Sequence, residues 1–206
     1  DLSGNTVYAI SYPSGAFTQS GAGGSFVGTA YTFSTKPLFP GLFSWGQNLN
    51  GELGHNDIIN RSSPTQIPGT TFNTVSMGYD HTMSINTVGE MWNWGSNGAG
   101  QLGDNSRTSK SSPVQVPGTT WKTVSSKYGG GLATKTDGTL WSWGYNDNGG
   151  NGLNNRTRYS SPVQVPGTTW AHVTVIGGNY NGAGTKTDGT LWTWGQNNVG
   201  QMGDGT

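Results

Sequence analysis

The stretch Thr139-Leu140-Trp141-Ser142-Trp143-Gly144 decides the fold, because close copies of it recur along the chain. The copies begin at Thr190, at Glu90 and, in a more divergent form, at Gly41. The second tryptophan of each copy sets the period, with spacings of 49, 49 and 51 residues between Trp45, Trp94, Trp143 and Trp194. A constant period of this size predicts a repeat architecture in which each period forms one structural unit.

Other short motifs keep the same period. Ser-Ser-Pro occurs three times, beginning at Ser62, Ser111 and Ser160. Pro-Gly-Thr-Thr also occurs three times, and each copy is followed by an aromatic residue: Phe72, Trp121 and Trp170. Landmarks that stay in step along the whole period distinguish a true repeat from a recurring tryptophan.

One period divides into four short strands. Alternating apolar and polar residues predict strands at 113–116, 121–124, 131–135 and 140–143. Asp137-Gly138 predicts a type I′ hairpin turn between the last two strands. Four antiparallel strands in about 50 residues are typical of one propeller blade. The predicted fold is therefore all-β: a β-propeller of four-stranded antiparallel blades, with about three complete repeats and partial ones.

The repeats are predicted to cover residues 34–206. A partial repeat at 34–61 is followed by repeats at 62–110, 111–159 and 160–206. Residues 1–33 do not match the period, although alternating stretches at 6–10 and 26–33 predict strands in this N-terminal segment.

Large apolar side chains are predicted to fill the space between blades. A buried tryptophan contributes roughly 150–250 Å² of contact area. The glycine-rich connection after each tryptophan strand carries one further apolar residue, expected to plug the gap between blades: Leu53, Leu102, Leu153 and Met202. The predicted blade core consists of Trp45, Trp92, Trp94, Trp141, Trp143, Trp192 and Trp194.

Composition narrows the classes of function. The formal net charge is zero, so no strong field favours specific binding of nucleic acid. There are no cysteines, and no apolar run reaches the roughly 20 residues of a membrane span, so membrane insertion is not expected. His55, His81 and His172 occupy different repeat positions and lack the spacing of a metal or acid–base motif. We therefore expect no enzyme activity, no cofactor and no metal.

The repeated motifs resemble a known family. Trp94-Gly95 is followed by Asn97 through Asp104 and then by Ser-Pro-Val-x-Val at 112–116, an order similar to that of the regulator of chromosome condensation repeat. The family's Ser-x-Gly-x-x-His segment occurs once, at 76–81. The resemblance covers residues 34–206 and implies part of a larger propeller, for which seven is the family's number of blades. A small four-bladed ring completed by residues 1–33, or an open arc, is the alternative. The family includes an exchange factor for a small GTPase, a photoreceptor and an enzyme inhibitor, so it implies a rigid scaffold that binds another macromolecule.

The binding surface is expected where the repeats differ. Connections in an up-and-down blade alternate between two faces, so the Pro-Gly-Thr-Thr and Asp-Gly turns share one face. The more variable links share the other. Two alternatives to a binding site are that the tyrosines pack between blades, and that the basic residues belong to a rim of mixed charge that also contains Asp57 and Asp104. On the variable face we predict binding by Arg61, Tyr79, His81, Arg107, Lys110, Tyr128, Arg156, Arg158 and Tyr180.

Three functions follow as expectations. The polar, charge-poor composition favours an extracellular or virion-associated adhesion or decoration module, with another protein or a surface glycan as partner and self-assembly through open propeller ends. The first alternative, implied by the resemblance, is an intracellular regulator of a small GTPase that resembles a guanine-nucleotide exchange factor. The second is a protein inhibitor that covers an enzyme's active site.

Overall fold

The computed structural model describes residues 41–69, 71–175 and 180–205, together with the backbone of residues 7–10, 31–34 and 176. The chain divides into two units, Asp1–Pro40 and Gly41–Thr206. In the first unit β1 (Val7–Ile10) pairs antiparallel with β2 (Tyr31–Ser34). These strands match the alternating pattern at 6–10 and the end of the pattern at 26–33. Residues 26–30 lie outside the described residues.

The second unit is a row of antiparallel sheets, named here blades I to IV in chain order. Blade I holds β3 and β4, blade II holds β5 to β8, blade III holds β9 to β12, and blade IV holds β13 to β15. This arrangement confirms the predicted all-β fold with four-stranded blades. The strands are β3 (Phe43–Gly46), β4 (Arg61–Gln66), β5 (Phe72–Met77), β6 (His81–Asn86), β7 (Met91–Gly95), β8 (Lys110–Gln115), β9 (Trp121–Lys127), β10 (Gly130–Lys135), β11 (Leu140–Gly144), β12 (Tyr159–Val165), β13 (Trp170–Ile176), β14 (Asn181–Lys186) and β15 (Leu191–Trp194).

The blades are offset by one strand from the sequence repeats at 62–110, 111–159 and 160–206. The sequence pattern groups 113–116 with the strands that follow it. In the structure this segment belongs to β8, which pairs with β7 in blade II, where Asn93 faces Val114. The Ser-Ser-Pro strand therefore completes a blade, and the Pro-Gly-Thr-Thr turn crosses to the next one. A cyclic pattern of four strands does not by itself reveal which strand comes first in the sheet.

The first strands of neighbouring blades lie together at the inner edge. β9 contacts both β5 and β13. Ser126 donates a backbone N–H to Ser76 Oγ over 2.9 Å and its own hydroxyl to the Ser76 carbonyl over 2.8 Å. β4, β8 and β12 are the outer strands, and among the described residues each has one unpaired edge. Proline suits such an edge because it has no N–H to leave unpaired, and each outer strand carries one: Pro64, Pro113 and Pro162.

The two kinds of turn predicted to share a face do so. The Thr136 N–H donates to the Thr120 carbonyl over 2.9 Å, and the Trp121 N–H donates to Gly89 over 3.0 Å. The hairpin at Asp137-Gly138 is present, but it is not the predicted type I′ turn. Only Gly138 has a positive φ, +79°, and its N–H bonds back to Lys135 over 3.1 Å. This is a three-residue loop ending in a left-handed glycine, the geometry of a G1 bulge.

The second tryptophan of the repeated stretch joins neighbouring blades. Trp94 and Trp143 are fully buried. The Trp143 indole donates to the carbonyl of Gln101, in the connection of the preceding blade, over 2.9 Å, and Trp94 donates to Glu52 in the same way. A Cβ on Gly103 would lie 2.9 Å from Trp143 Nε1. Glycine is therefore required where the connection passes over the indole.

Two of the predicted core tryptophans are not buried. Trp92, Trp141 and Trp194 are at least partly covered, whereas Trp45 is 58% exposed and Trp192 50% exposed. Within residues 41–205 no earlier connection reaches Trp45. The described part of blade IV has no outer strand to pair with Trp192, as β12 pairs with Trp141.

An asparagine organises each long connection, and in blades I to III this asparagine is buried. Asn97 donates its amide to Asp104 Oδ1, Ser106 Oγ and the Thr108 carbonyl, and its Oδ1 accepts from the Leu102 N–H over 3.0 Å. Leu53 and Leu102 are buried plugs, as predicted. In blade III the Asn146 Oδ1 accepts instead from Asn151. Asn151, not Leu153, therefore occupies the plug position there.

Candidate protein-binding face

Two pairs of tyrosines, each in tilted ring contact, form a row across blades II to IV on the variable face. Tyr79 follows β5, Tyr128 follows β9, and their ring centroids are 4.8 Å apart. Tyr145 follows β11 and lies 5.7 Å from Tyr180, which precedes β14. The Tyr145 N–H donates to the Gly129 carbonyl over 2.7 Å, which joins the two pairs. We call these four residues the tyrosine row.

The first pair is the more accessible. Tyr79 is 76% exposed and Tyr128 42% exposed, so Tyr79 is not packed between blades. The ring contact restrains a large amphipathic side chain at the surface, which reduces the conformational entropy lost when a partner binds.

The second pair is fixed by an arginine. The Arg158 guanidinium lies 4.4 Å from the Tyr145 ring centroid. Its Nε donates to Asp147 Oδ1 over 2.7 Å, and its NH2 group bonds the other carboxylate oxygen. This pair holds the pKa of Asp147 below its usual range and raises the pKa of Arg158. Sequence reasoning missed Tyr145. The signal was an aromatic residue at a position where the other repeats carry Gln47, Ser96 and Gln196.

The five predicted basic residues divide into two groups. Arg61 pairs with Asp57 over 2.7 Å, as Arg158 pairs with Asp147, so two of the five are neutralised. Arg107 and Arg156 are exposed and Lys110 is partly buried. Within the part of the chain that the structure describes, these last three make no ion pair.

His81 does not have the exposed position predicted for it. Its side chain is buried between blades, and Nε2 lies 3.3 Å from the carbonyl oxygen of Gly130 in blade III. Gly78 leaves the necessary space, because a Cβ there would lie 2.2 Å from His81 Cε1. The His81 side chain therefore lies beneath the loop that carries Tyr79 and is not part of the exposed surface.

Lys127 is a buried amine that the sequence pattern did not single out. It is 2% exposed and directly precedes Tyr128 in the sequence. Its Nζ donates to the Gly150 carbonyl over 3.1 Å and to Asn151 Oδ1. Burial away from water lowers its pKa to about 7.

Neither a metal centre nor a membrane helix is found in the described ranges. No group of three or more His, Cys, Asp and Glu side chains there is placed to hold a metal ion. The same residues contain no helix with the length and apolarity to cross a membrane.

The blades lie side by side with their first strands in contact at the inner edge, which is the arrangement of a β-propeller. The family model of the regulator of chromosome condensation (RCC1) repeat matches residues 41–85 and 88–131. The predicted resemblance to the regulator of chromosome condensation repeat is thus confirmed over these residues. No curated protein matches the sequence.

Solved structures show the same fold. Human WBSCR16 has a TM-score of 0.65 at 24% identity, covering 75% of this chain and 42% of that chain. Prp20p from Saccharomyces cerevisiae, described with its binding to Gsp1p and histones, has a TM-score of 0.68 at 18% identity, covering 80% and 43%. Yeast RCC1 (Prp20) in complex with Kap60 has a TM-score of 0.65 at 20% identity, covering 76% and 38%. This chain therefore spans about two-fifths of each neighbour's length.

These neighbours contradict the predicted extracellular or virion-associated location. Prp20p binds histones, which are proteins of the cell interior. The prediction from composition was wrong because the asparagines and glycines stabilise the turns and connections of the fold. Asn48, Asn97 and Asn146 are buried in the connections. An Asn- and Gly-rich composition here reflects turn chemistry, not a cellular compartment.

Proposed function

We propose that this chain is a non-enzymatic, intracellular protein-binding module that docks its partner on the tyrosine row. The observation that carries the proposal is Tyr79, a 76% exposed aromatic ring held in place by Tyr128. Exposed, preorganised tyrosines are typical of the residues that dominate binding energy at protein interfaces. A fold alone does not define a function, so the proposal is based on the residues exposed at the surface.

The surrounding charge favours an acidic partner surface. Asp57 and Asp147 are neutralised by Arg61 and Arg158. Arg107 and Arg156 remain exposed at the same repeat position and have no carboxylate partner within the described ranges. Unpaired arginines around an aromatic centre favour encounter with, and orientation of, a negatively charged surface.

A small GTPase is the first class of partner to test. The fold is shared with Prp20p, which binds Gsp1p, and the family includes an exchange factor for a small GTPase. An exchange factor speeds nucleotide release by binding the GTPase and supplies no catalytic group. The function proposed here therefore needs a binding face and no active site.

The test compares two faces of the same chain. Small GTPases of the source organism are loaded with fluorescent GDP, and their binding and nucleotide release are measured with the unmodified chain and with Y79S/Y128S. V88S is the control, because Val88 is equally exposed but lies in a hairpin turn on the opposite face. We expect Y79S/Y128S to weaken binding by about tenfold or more and V88S to leave it unchanged.

Each result decides one part of the proposal. Equal binding by all three proteins would place the interface elsewhere and remove the role of the tyrosine row. Binding that depends on the tyrosines but does not speed nucleotide release would exclude an exchange factor and retain the binding module. The absence of binding to every GTPase would exclude this class of partner.

A further inference from the structure

A second concave site lies in blade III, beside the Pro-Gly-Thr-Thr turn and away from the tyrosine row. It is a groove of about 420 Å³ whose lining includes Pro117, Trp121, Lys135, Trp141 and Pro162. Its size falls within the range of pockets that hold small ligands or a single side chain of a partner.

Two tryptophans hold the Lys135 ammonium in this groove. Nζ lies 4.6 Å from the ring centroid of Trp121 and 4.5 Å from that of Trp141. The two rings meet edge to face, 6.2 Å apart at 78°. Attraction between the cation and both rings orients the amine without using its hydrogen-bond donors.

Those donors lack acceptors from the protein. Across the residues that the structure describes, Lys135 makes no side-chain hydrogen bond and no ion pair. The nearby Asp137 carboxylate is engaged instead by the N–H and hydroxyl of Thr139. An ammonium group has three N–H donors, so a preorganised cation in this groove is available to a ligand.

We propose that the groove binds a carboxylate, with Lys135 as the anchoring cation. The rings of Pro117 and Pro162 and the indole edges would contact a small apolar or planar body attached to the carboxylate. A single ammonium group matches one negative charge. Phosphate is favoured by several converging cations or by an arginine fork, whereas Lys135 is the one cation among the described lining residues. Of the other polar side chains there, the Ser161 hydroxyl donates to Asn105 Oδ1 over 3.1 Å. This proposal does not depend on the function of the tyrosine row.

The neighbouring blades provide internal comparisons. In blade II the position of Lys135 is taken by Asn86, which donates to the Glu90 carboxylate over 2.7 Å. That position therefore has an anion and no cation. In blade IV, Lys186 lies 5.0 Å from Trp170 and 4.4 Å from Trp192, but the described residues of that blade include no outer strand to form the wall made by Pro162. Among the described blades, the complete groove is found in blade III.

The test uses the full chain and benzoate, a planar monocarboxylate, with neutral benzamide as its matched control. Tryptophan fluorescence follows binding to the unmodified chain, to K135M and to K186M. Methionine retains the apolar stem of lysine and removes the charge. We expect benzoate to bind at least about tenfold more tightly than benzamide, K135M to lose this preference, and K186M and Y79S/Y128S to retain it.

A second arm identifies the source of the carboxylate. A blocked peptide with one internal glutamate is compared with its glutamine counterpart. If only the free acid binds, the groove takes a small molecule. A preference for the glutamate peptide would indicate an acidic side chain of a protein.

Several results would overturn the proposal. They are equal affinity for benzoate and benzamide, unchanged binding by K135M, or no saturable change with any probe. Thermal unfolding checks that K135M is folded. Nuclear Overhauser contacts between benzoate and the indole protons of Trp121 and Trp141 provide a measurement in the unmodified protein. Binding without these contacts would place the ligand elsewhere.

Discussion

At the scale of single residues, blade III departs from its neighbours in three linked positions. Lys127 stands where blade II has Gly78, Gly130 stands where it has His81, and Asn151 takes the place of the leucine plug. The Lys127 side chain runs past Gly130, where a Cβ would lie 3.2 Å from Lys127 Cε. One buried amine and its two acceptors therefore replace a histidine and an apolar plug.

Substitution of Lys127 should change how stability depends on pH. Its pKa is about 7 in the folded chain and near 10.4 in an unfolded one. Between these values the unfolded chain binds more protons, so raising the pH favours folding. Relative to K127M, the free energy of unfolding of the unmodified chain should rise from pH 7 to pH 10, by on the order of 1 kcal/mol per pH unit.

Denaturant unfolding at several pH values checks this expectation. K122M is the matched control, because Lys122 lies on the same strand but is exposed. The K122M curve should run parallel to that of the unmodified chain. A constant difference between K127M and the unmodified chain across this range would show that Lys127 is not desolvated in the folded protein.

At the scale of elements, the tryptophan strand and the preceding connection act as one unit. Trp143 is fully buried and bonds the Gln101 carbonyl, whereas Trp192 is half exposed. W143F should cost about 2 to 4 kcal/mol, because it leaves a cavity and an unpaired carbonyl. W192F should cost less than about 1 kcal/mol. Chemical denaturation measures both, and equal losses would mean that Trp143 does not join the blades.

The sequence repeat predicted the individual strands better than it predicted how the strands are grouped into blades. Spacing and alternation indicated the strands and the blades, because every period repeats the same local constraints. The assignment of β8 to the preceding blade depends on contacts between repeats, which spacing does not contain. The ring contact between Tyr79 and Tyr128 and the pairing of Arg158 with Asp147 depend on loop conformation. Those details define the candidate site, so the sequence predicted its face and only some of its contacts.

At the scale of the whole molecule, the described blades present apolar surface at both ends of the row. Leu191 of blade IV is 68% exposed, although the equivalent Leu140 of blade III is fully buried against the next blade. At the other end, Phe43 and Trp45 are exposed on β3 of blade I. The aligned part of this chain covers only about two-fifths of each structural neighbour, and in a longer propeller such faces pack against further blades. Self-assembly through these ends remains a prediction.

Polar substitution at blade IV should reduce association of the purified chain. Burial of a leucine or tryptophan side chain is worth roughly 1.5 to 3 kcal/mol, so L191S/W192S should raise the concentration needed for association by about tenfold or more. Sedimentation velocity over a range of concentrations measures this change, and V88S provides an exposed apolar control on a turn. Association that is equally strong in L191S/W192S would assign self-assembly to another surface. A chain that stays monomeric throughout would show that the exposed end does not bind a second copy.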